Sequence, residues 1–169
     1  NNPDSVMNMA FLFRMSDDET KYKEFVNKAI EINPHHSRSL HAKGMLNLNE
    51  CDYDNAINLL NRANESNRKG VPFYETMLLF CHLGKNDWIS ANQSVDRSMR
   101  ENDHSRFHAF KAIVLAHEGK IEESKEWLKK YQENRPEIKS LEDYKQVVPQ
   151  INKEVTEILL NGISKAGLK

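Results

Sequence analysis

Cysteine is scarce in this chain: Cys51 and Cys81 are the only two among 169 residues. Two thiols do not make the paired framework that staples small secreted domains. The expected setting is therefore a reducing cytoplasm, with each thiol inert and buried in a helix. A charge excess is lacking too, because 24 Lys and Arg side chains nearly cancel 25 Asp and Glu. Without a basic surplus to displace counterions from phosphate, direct nucleic-acid binding is not expected. Long hydrophobic runs are missing. None approaches the ~20 apolar residues that span a bilayer, so no membrane contact is expected within this chain. No basic, then apolar, then small-residue leader opens the N-terminus. Asn1 is not preceded by Met, and the expectation is a piece of a longer protein; a membrane span upstream would place the array in the periplasm. The six glycines are scattered; they form neither a phosphate-cradling loop nor a dinucleotide-binding triplet, and no serine sits in a nucleophile elbow.

What the chain does have is a helical cadence that returns about every 34 residues, from Pro3, Ser37, Pro72 and Ser105. A unit of that length is one helix-turn-helix, too small to bury its own apolar stripe, so neighbours must stack to form a continuous core. Tyr22, Phe25, Val26, Ala29 and Ile30 make one such stripe. Tyr53, Ala56, Ile57, Leu60 and Ala63 make the second, Trp88, Ala91, Val95 and Met99 the third, and Ile121, Trp127, Leu128 and Tyr131 the fourth. All follow the 3.6-residue period of a half-buried helix. Ser16 through Glu19 has capping-box spacing, Asp52 and Asp87 can cap the helices they precede, and Gly119 falls where the chain must reverse.

Small residues recur at fixed separations. Gly44, Ala56, Ala63 and Arg68 lie 12, 7 and 5 residues apart; Ala10, Tyr22, Ala29 and Pro34 repeat this, as do Leu79, Ala91, Ser98 and Asp103, and Ala112, Ser124, Tyr131 and Pro136. This pattern resembles the tetratricopeptide repeat, in which small side chains let the helices of a pair approach and proline ends the second helix. Tyr22 and Leu79 depart from it, as does Arg68, where proline is common. The resemblance implies an all-α, right-handed solenoid of four helix pairs (3–36, 37–71, 72–104, 105–138). The remaining residues, 139–169, read as capping helices. Ser140 opens a short helix stopped by Pro149, and Asn152 opens a longer amphipathic one through Val155, Ile158, Leu159 and Ile163 to Gly167.

The tail carries a second resemblance. Arg135-Pro136-Glu137, Leu141-Glu142-Asp143-Tyr144, Pro149 and the run Asn161 to Leu168 are similar to the C-terminal end of bacterial tetratricopeptide arrays attached to class III adenylate cyclases or winged-helix transcription activators. That implies the C-terminal regulatory part of a larger signalling or transcription protein.

The repeat resemblance further implies that the first helix of each pair lines a concave groove for peptides or helices. The groove residues expected at helical spacing are Met7, Phe11 and Arg14; then Arg38, His41 and Met45; then Thr76, Met77 and Phe80; then Arg106, Phe110 and His117. Relatives that grip a carboxylate terminus use a Lys, Asn and Arg clamp there. The matching places hold Met7, Phe11, Ala42, Phe73 and Met77, so that clamp is absent, and one register further along only Arg106 fits. Met and Phe suit a hydrophobic peptide. His104 and His108 lie four apart beside Asp103, a spacing that could face one ion. The usual His-Glu-x-x-His pattern is missing, and surface or packing roles account for them. The function expected is a non-enzymatic module without cofactor or metal that binds a protein or peptide partner. Self-association and small-molecule sensing are the alternatives.

Overall fold

A computed structural model describes residues 2–66, 71–101 and 103–169. The described residues are all-α: α1 (Pro3–Met15), α2 (Glu19–Ile32), α3 (Ser37–Asn49), α4 (Tyr53–Ser66), α5 (Val71–Gly84), α6 (Trp88–Glu101), α7 (Ser105–His117), α8 (Ile121–Asn134), α9 (Leu141–Lys145) and α10 (Lys153–Lys165). They fall into two compact units, Asn1–Met77 and Leu78–Lys169, with the division inside α5.

One turn is made four times. Asp17, Cys51, Asn86 and Gly119 each carry positive φ, at 55°, 61°, 55° and 80°. The residue after each donates its backbone N–H to the carbonyl five residues back: Asp18 to Phe13, Asp52 to Asn47, Asp87 to His82 and Lys120 to Leu115, at 2.8–2.9 Å. This is the left-handed closure that satisfies the orphan carbonyls of a helix end. In three turns the same next residue caps the following helix. Asp18 accepts from the Lys21 amide at 3.1 Å, Asp52 from Asn55 at 3.5 Å and Asp87 from Ser90 at 3.1 Å. Ser16, expected to open a capping box, instead ends α1 and donates its hydroxyl to the Phe13 carbonyl. Lys120 provides no cap in the fourth turn. The second-helix turn expected at Arg68 lies outside the described residues.

The small-residue marks explain how the hairpins close. Ala10, Gly44, Leu79 and Ala112 on the first helices are buried, as are Tyr22, Ala56, Ala91 and Ser124 on the second. A β-carbon added at Gly44 would sit 2.9 Å from Leu60 Cγ, so α3 and α4 meet where only hydrogen fits. In the fourth hairpin Ser124 donates its hydroxyl to the Ala112 carbonyl at 2.7 Å, tying one mark to the other.

Unit 1 is held by Met7, Ala10, Tyr22, Val26, Ala29, Ala42 and Leu46, with Phe11, Phe13 and Phe25 packed against them. A second cluster joins Leu40, Ala63 and Tyr74. In unit 2, α10 covers α7: Val155, Leu159 and Ile163 are fully buried, and a β-carbon at Gly162 would strike Ile113 Cγ2 at 2.5 Å. The tail is closed by backbone as well, because the Leu141 N–H donates to the Lys169 carbonyl at 2.9 Å. Ser140 and Asp143 form the expected capping box, and Asn152 accepts from the Val155 amide at 2.8 Å.

Candidate functional site

In unit 1 the first helices do two jobs. Met7 is fully buried, and Phe11 is half-buried beneath the Arg38 guanidinium, 5.4 Å from the ring centroid. Arg38 also pairs with Asp4 at 3.1 Å and donates to the Asn8 side chain at 3.2 Å, which binds α3 to α1. His36 adds to that seam through Ser39 and Asp4. Arg14 is different. It is exposed, lies 5.8 Å over the Tyr22 ring, and has no carboxylate partner among the described residues.

Beside Arg14 is a cleft of about 350 Å3 lined by Asp17, Glu19, Tyr22, Met45 and Asn49. The Tyr22 ring is buried and its hydroxyl has no hydrogen-bond partner among the described residues. Burial raises the Tyr22 pKa, opposed by the charge of Arg14. Burial, with a smaller push from Arg14, lowers that of His41 to about 4. His41 is therefore neutral at pH 7, half-buried 5.3 Å from the Tyr74 ring.

Unit 2 places its predicted residues differently. Phe80 and Phe110 meet edge to face at 5.5 Å and are both buried, as Thr76 and Met77 are in unit 1. These four, with Met7, serve the core, which corrects their expected exposure. Helical spacing marks one apolar stripe, and that stripe faces the neighbouring helices as well as any groove. His117 lies flat on Trp88 at 4.4 Å, within hydrogen-bond distance (3.1 Å) of the Ile158 carbonyl on α10. Burial lowers its pKa, partly offset by that bond. Arg106 is exposed, 5.1 Å over the Phe107 ring.

A second recess, of about 230 Å3, opens beside Arg106. It is lined by His104, Phe110, Tyr131, Arg135, Tyr144 and Val147, among others. Of these only Arg106 and Phe110 were expected. The signal for the rest was Tyr131 itself, a bulky ring at a mark where the other hairpins place Ala29, Ala63 and Ser98. Tyr144 of α9 packs edge-on against it, centroids 6.1 Å apart.

No family model and no curated protein matches this chain. Solved structures do. YrrB, a TPR protein with an unusual peptide-binding site, superposes with a TM-score of 0.68 at 17% identity, over 95% of this chain and 84% of that one. The tetratricopeptide fold is thereby shown. PilW, a type IV pilus biogenesis factor, gives 0.71 at 14% identity, over 98% of this chain and 73% of that one. MamA (MSR-1 C2) gives 0.67 at 12%, over 97% and 94%. At such identities the likeness carries the fold alone.

The histidines that sequence spacing singles out have structural partners. His108 pairs with Asp103 at 2.9 Å, while His104 accepts from the Arg106 amide at 3.3 Å. No group of three His, Cys, Asp or Glu among the described residues could hold a metal ion. Cys81 is buried, and burial pushes its thiol up to about 12. Cys51, expected in a helix, is exposed at the left-handed turn position. No described helix is long and apolar enough to cross a membrane.

Proposed function

We propose that this chain is a protein-interaction module that receives a peptide or helix against the first helices of its hairpins. The observation that carries the reading is the unit 1 cleft. An exposed Arg14 with no carboxylate partner among the described residues stands there over the buried Tyr22 ring, beside the flexible thioether of Met45. A peptide would supply the missing acceptor and an apolar side chain. The peptide-binding site named for YrrB is in keeping with this reading. The similarity of the tail to cyclase- and activator-linked arrays adds that the module regulates a larger bacterial signalling or transcription protein in the cytoplasm. The reading frame upstream of Asn1 tests that part, and an unrelated upstream sequence removes it.

Peptides selected against the purified chain by phage display test the groove. Their affinity, measured by calorimetry, is expected to fall about tenfold or more with Arg14→Glu or Met45→Glu. Peptides indifferent to both substitutions overturn the groove. A second reading, self-association, is favoured by Met9, Leu12 and Met15, which form one face of α1 and are 43%, 58% and 84% exposed. Light scattering decides it: a mass that stays monomeric across concentration excludes it.

A further inference from the structure

The unit 2 recess differs from the unit 1 cleft in charge. The rim groups are His104, Arg106 and Arg135, and no Asp or Glu lines it among the described residues. Arg135 is held by Glu137, and Asp103 by His108, which leaves Arg106 as an exposed guanidinium with no carboxylate partner among the described residues. Beneath the rim is an aromatic floor of Phe110, Tyr131 and Tyr144. The volume, about 230 Å3, is below the range of about 300–1,000 Å3 that holds drug-sized molecules, and matches a single large side chain.

We infer that this recess binds an acidic peptide segment with one aromatic anchor. The anchor ring seats against exposed Val147 and the edges of Phe110, Tyr131 and Tyr144, each of which keeps only 2% of its surface open. Flanking carboxylates meet Arg106 and reach toward His104 and Arg135. Arg suits this role because its planar fork pairs with a carboxylate bidentately and gives up hydration at lower cost than an ammonium. Arg106 lies beside the recess on a helix rather than at a closed end, which favours an acidic side chain next to the anchor over a chain-terminal carboxylate. The site rests on the groove reading, since Arg106 and Phe110 lie on a first helix, and deepens it with Tyr131, Arg135 and Tyr144 from outside that helix.

The test uses the full chain and a fluorescein-labelled peptide, Gly-Ser-Glu-Glu-Phe-Glu-Glu-Ser-Gly, blocked at both ends, followed by fluorescence anisotropy. Saturable binding is expected to weaken about tenfold or more with Arg106→Glu, and equally when the four peptide Glu become Gln. Rising salt should weaken it further. Arg14→Glu should leave the affinity within about twofold, which separates this site from the unit 1 cleft. Val147→Glu places an acid on the exposed part of the rim and should also weaken binding, so the inference stays testable should Arg106→Glu fail to fold. The inference is overturned by absence of saturable binding up to about 1 mM peptide. It is also overturned by indifference to both rim substitutions, by equal binding of the Gln peptide, or by binding that needs an unblocked C-terminus.

Discussion

The two units place a tyrosine where the repeat elsewhere places a small residue, and with different consequences. In unit 1 it is Tyr22, aligned with Ala56, Ala91 and Ser124; in unit 2 it is Tyr131, aligned with Ala29, Ala63 and Ser98. Each ring lines a cleft. Around Tyr22 the lining mixes Arg14 with Asp17 and Glu19, whereas around Tyr131 it is basic and aromatic. The units also end differently. Unit 1 leaves Met9, Leu12 and Met15 open on α1, while in unit 2 α10 buries the side of α7 that Ile113 and His117 present to it. A departure from a repeat consensus therefore creates a surface whose chemistry its neighbours decide.

The largest expected effect attacks that closure. Gly162→Leu drives a side chain into Ile113 and His117 and should cost unit 2 about 3 kcal/mol. Gly44→Ala in unit 1 meets only Leu60 and Ala56 at 2.9–3.4 Å, and should cost about 1 kcal/mol after the helix-propensity gain of alanine. Trp88 and Trp127 both lie in unit 2, so tryptophan fluorescence in a urea titration reports that unit, with circular dichroism reporting both. Equal losses would mean that the docking of α10 is no tighter than an ordinary hairpin.

Acid should come next. His41 titrates at about 4 in the folded chain against an ordinary 6.5, so folding favours the neutral ring. Its contribution is complete above pH 6.5 and falls away as the pH drops through 4, by up to about 3 kcal/mol. His82 and His117 are depressed by burial as well and act in the same direction in unit 2. His41→Phe should flatten the difference between urea midpoints at pH 7 and pH 4.5 for the part of the signal not followed by tryptophan. An unchanged slope would refute the assignment to His41.

Smaller effects test the repeated turn. Cys51→Gly removes a side chain from a positive-φ position and should raise stability by about 0.5–1 kcal/mol, while Gly119→Ala should lower it by about 1 kcal/mol. Opposite signs in thermal melts would support one shared conformation, and a loss in both would show that Cys51 contributes contacts of its own. Least of all, Tyr22→Phe deletes a hydroxyl that has no partner among the described residues, and should change stability by less than about 1 kcal/mol. A larger loss would mean the hydroxyl is engaged in solution.

Local rules carried much of this protein. The 34-residue cadence, the caps at Asp52 and Asp87, the capping box at Ser140 and the cap at Asn152 depend on groups a few residues apart, so the sequence by itself determined where those helices start and turn. It also marked which side of each second helix is core, because a 3.6-residue apolar period has one buried solution. Tertiary structure alone decided which residues of the first helices remain accessible. Met7, Phe80 and Phe110 share helical spacing with Phe11 and Met45, yet the first three are buried and the others half-exposed. It likewise brought His104, Tyr131, Arg135 and Tyr144 to one recess from three separate stretches of chain. Periodicity sets the direction of a side chain about its own helix axis. What stands opposite depends on how closely the next helix packs, and at Gly44 and Gly162 the neighbouring helix comes too near for a side chain.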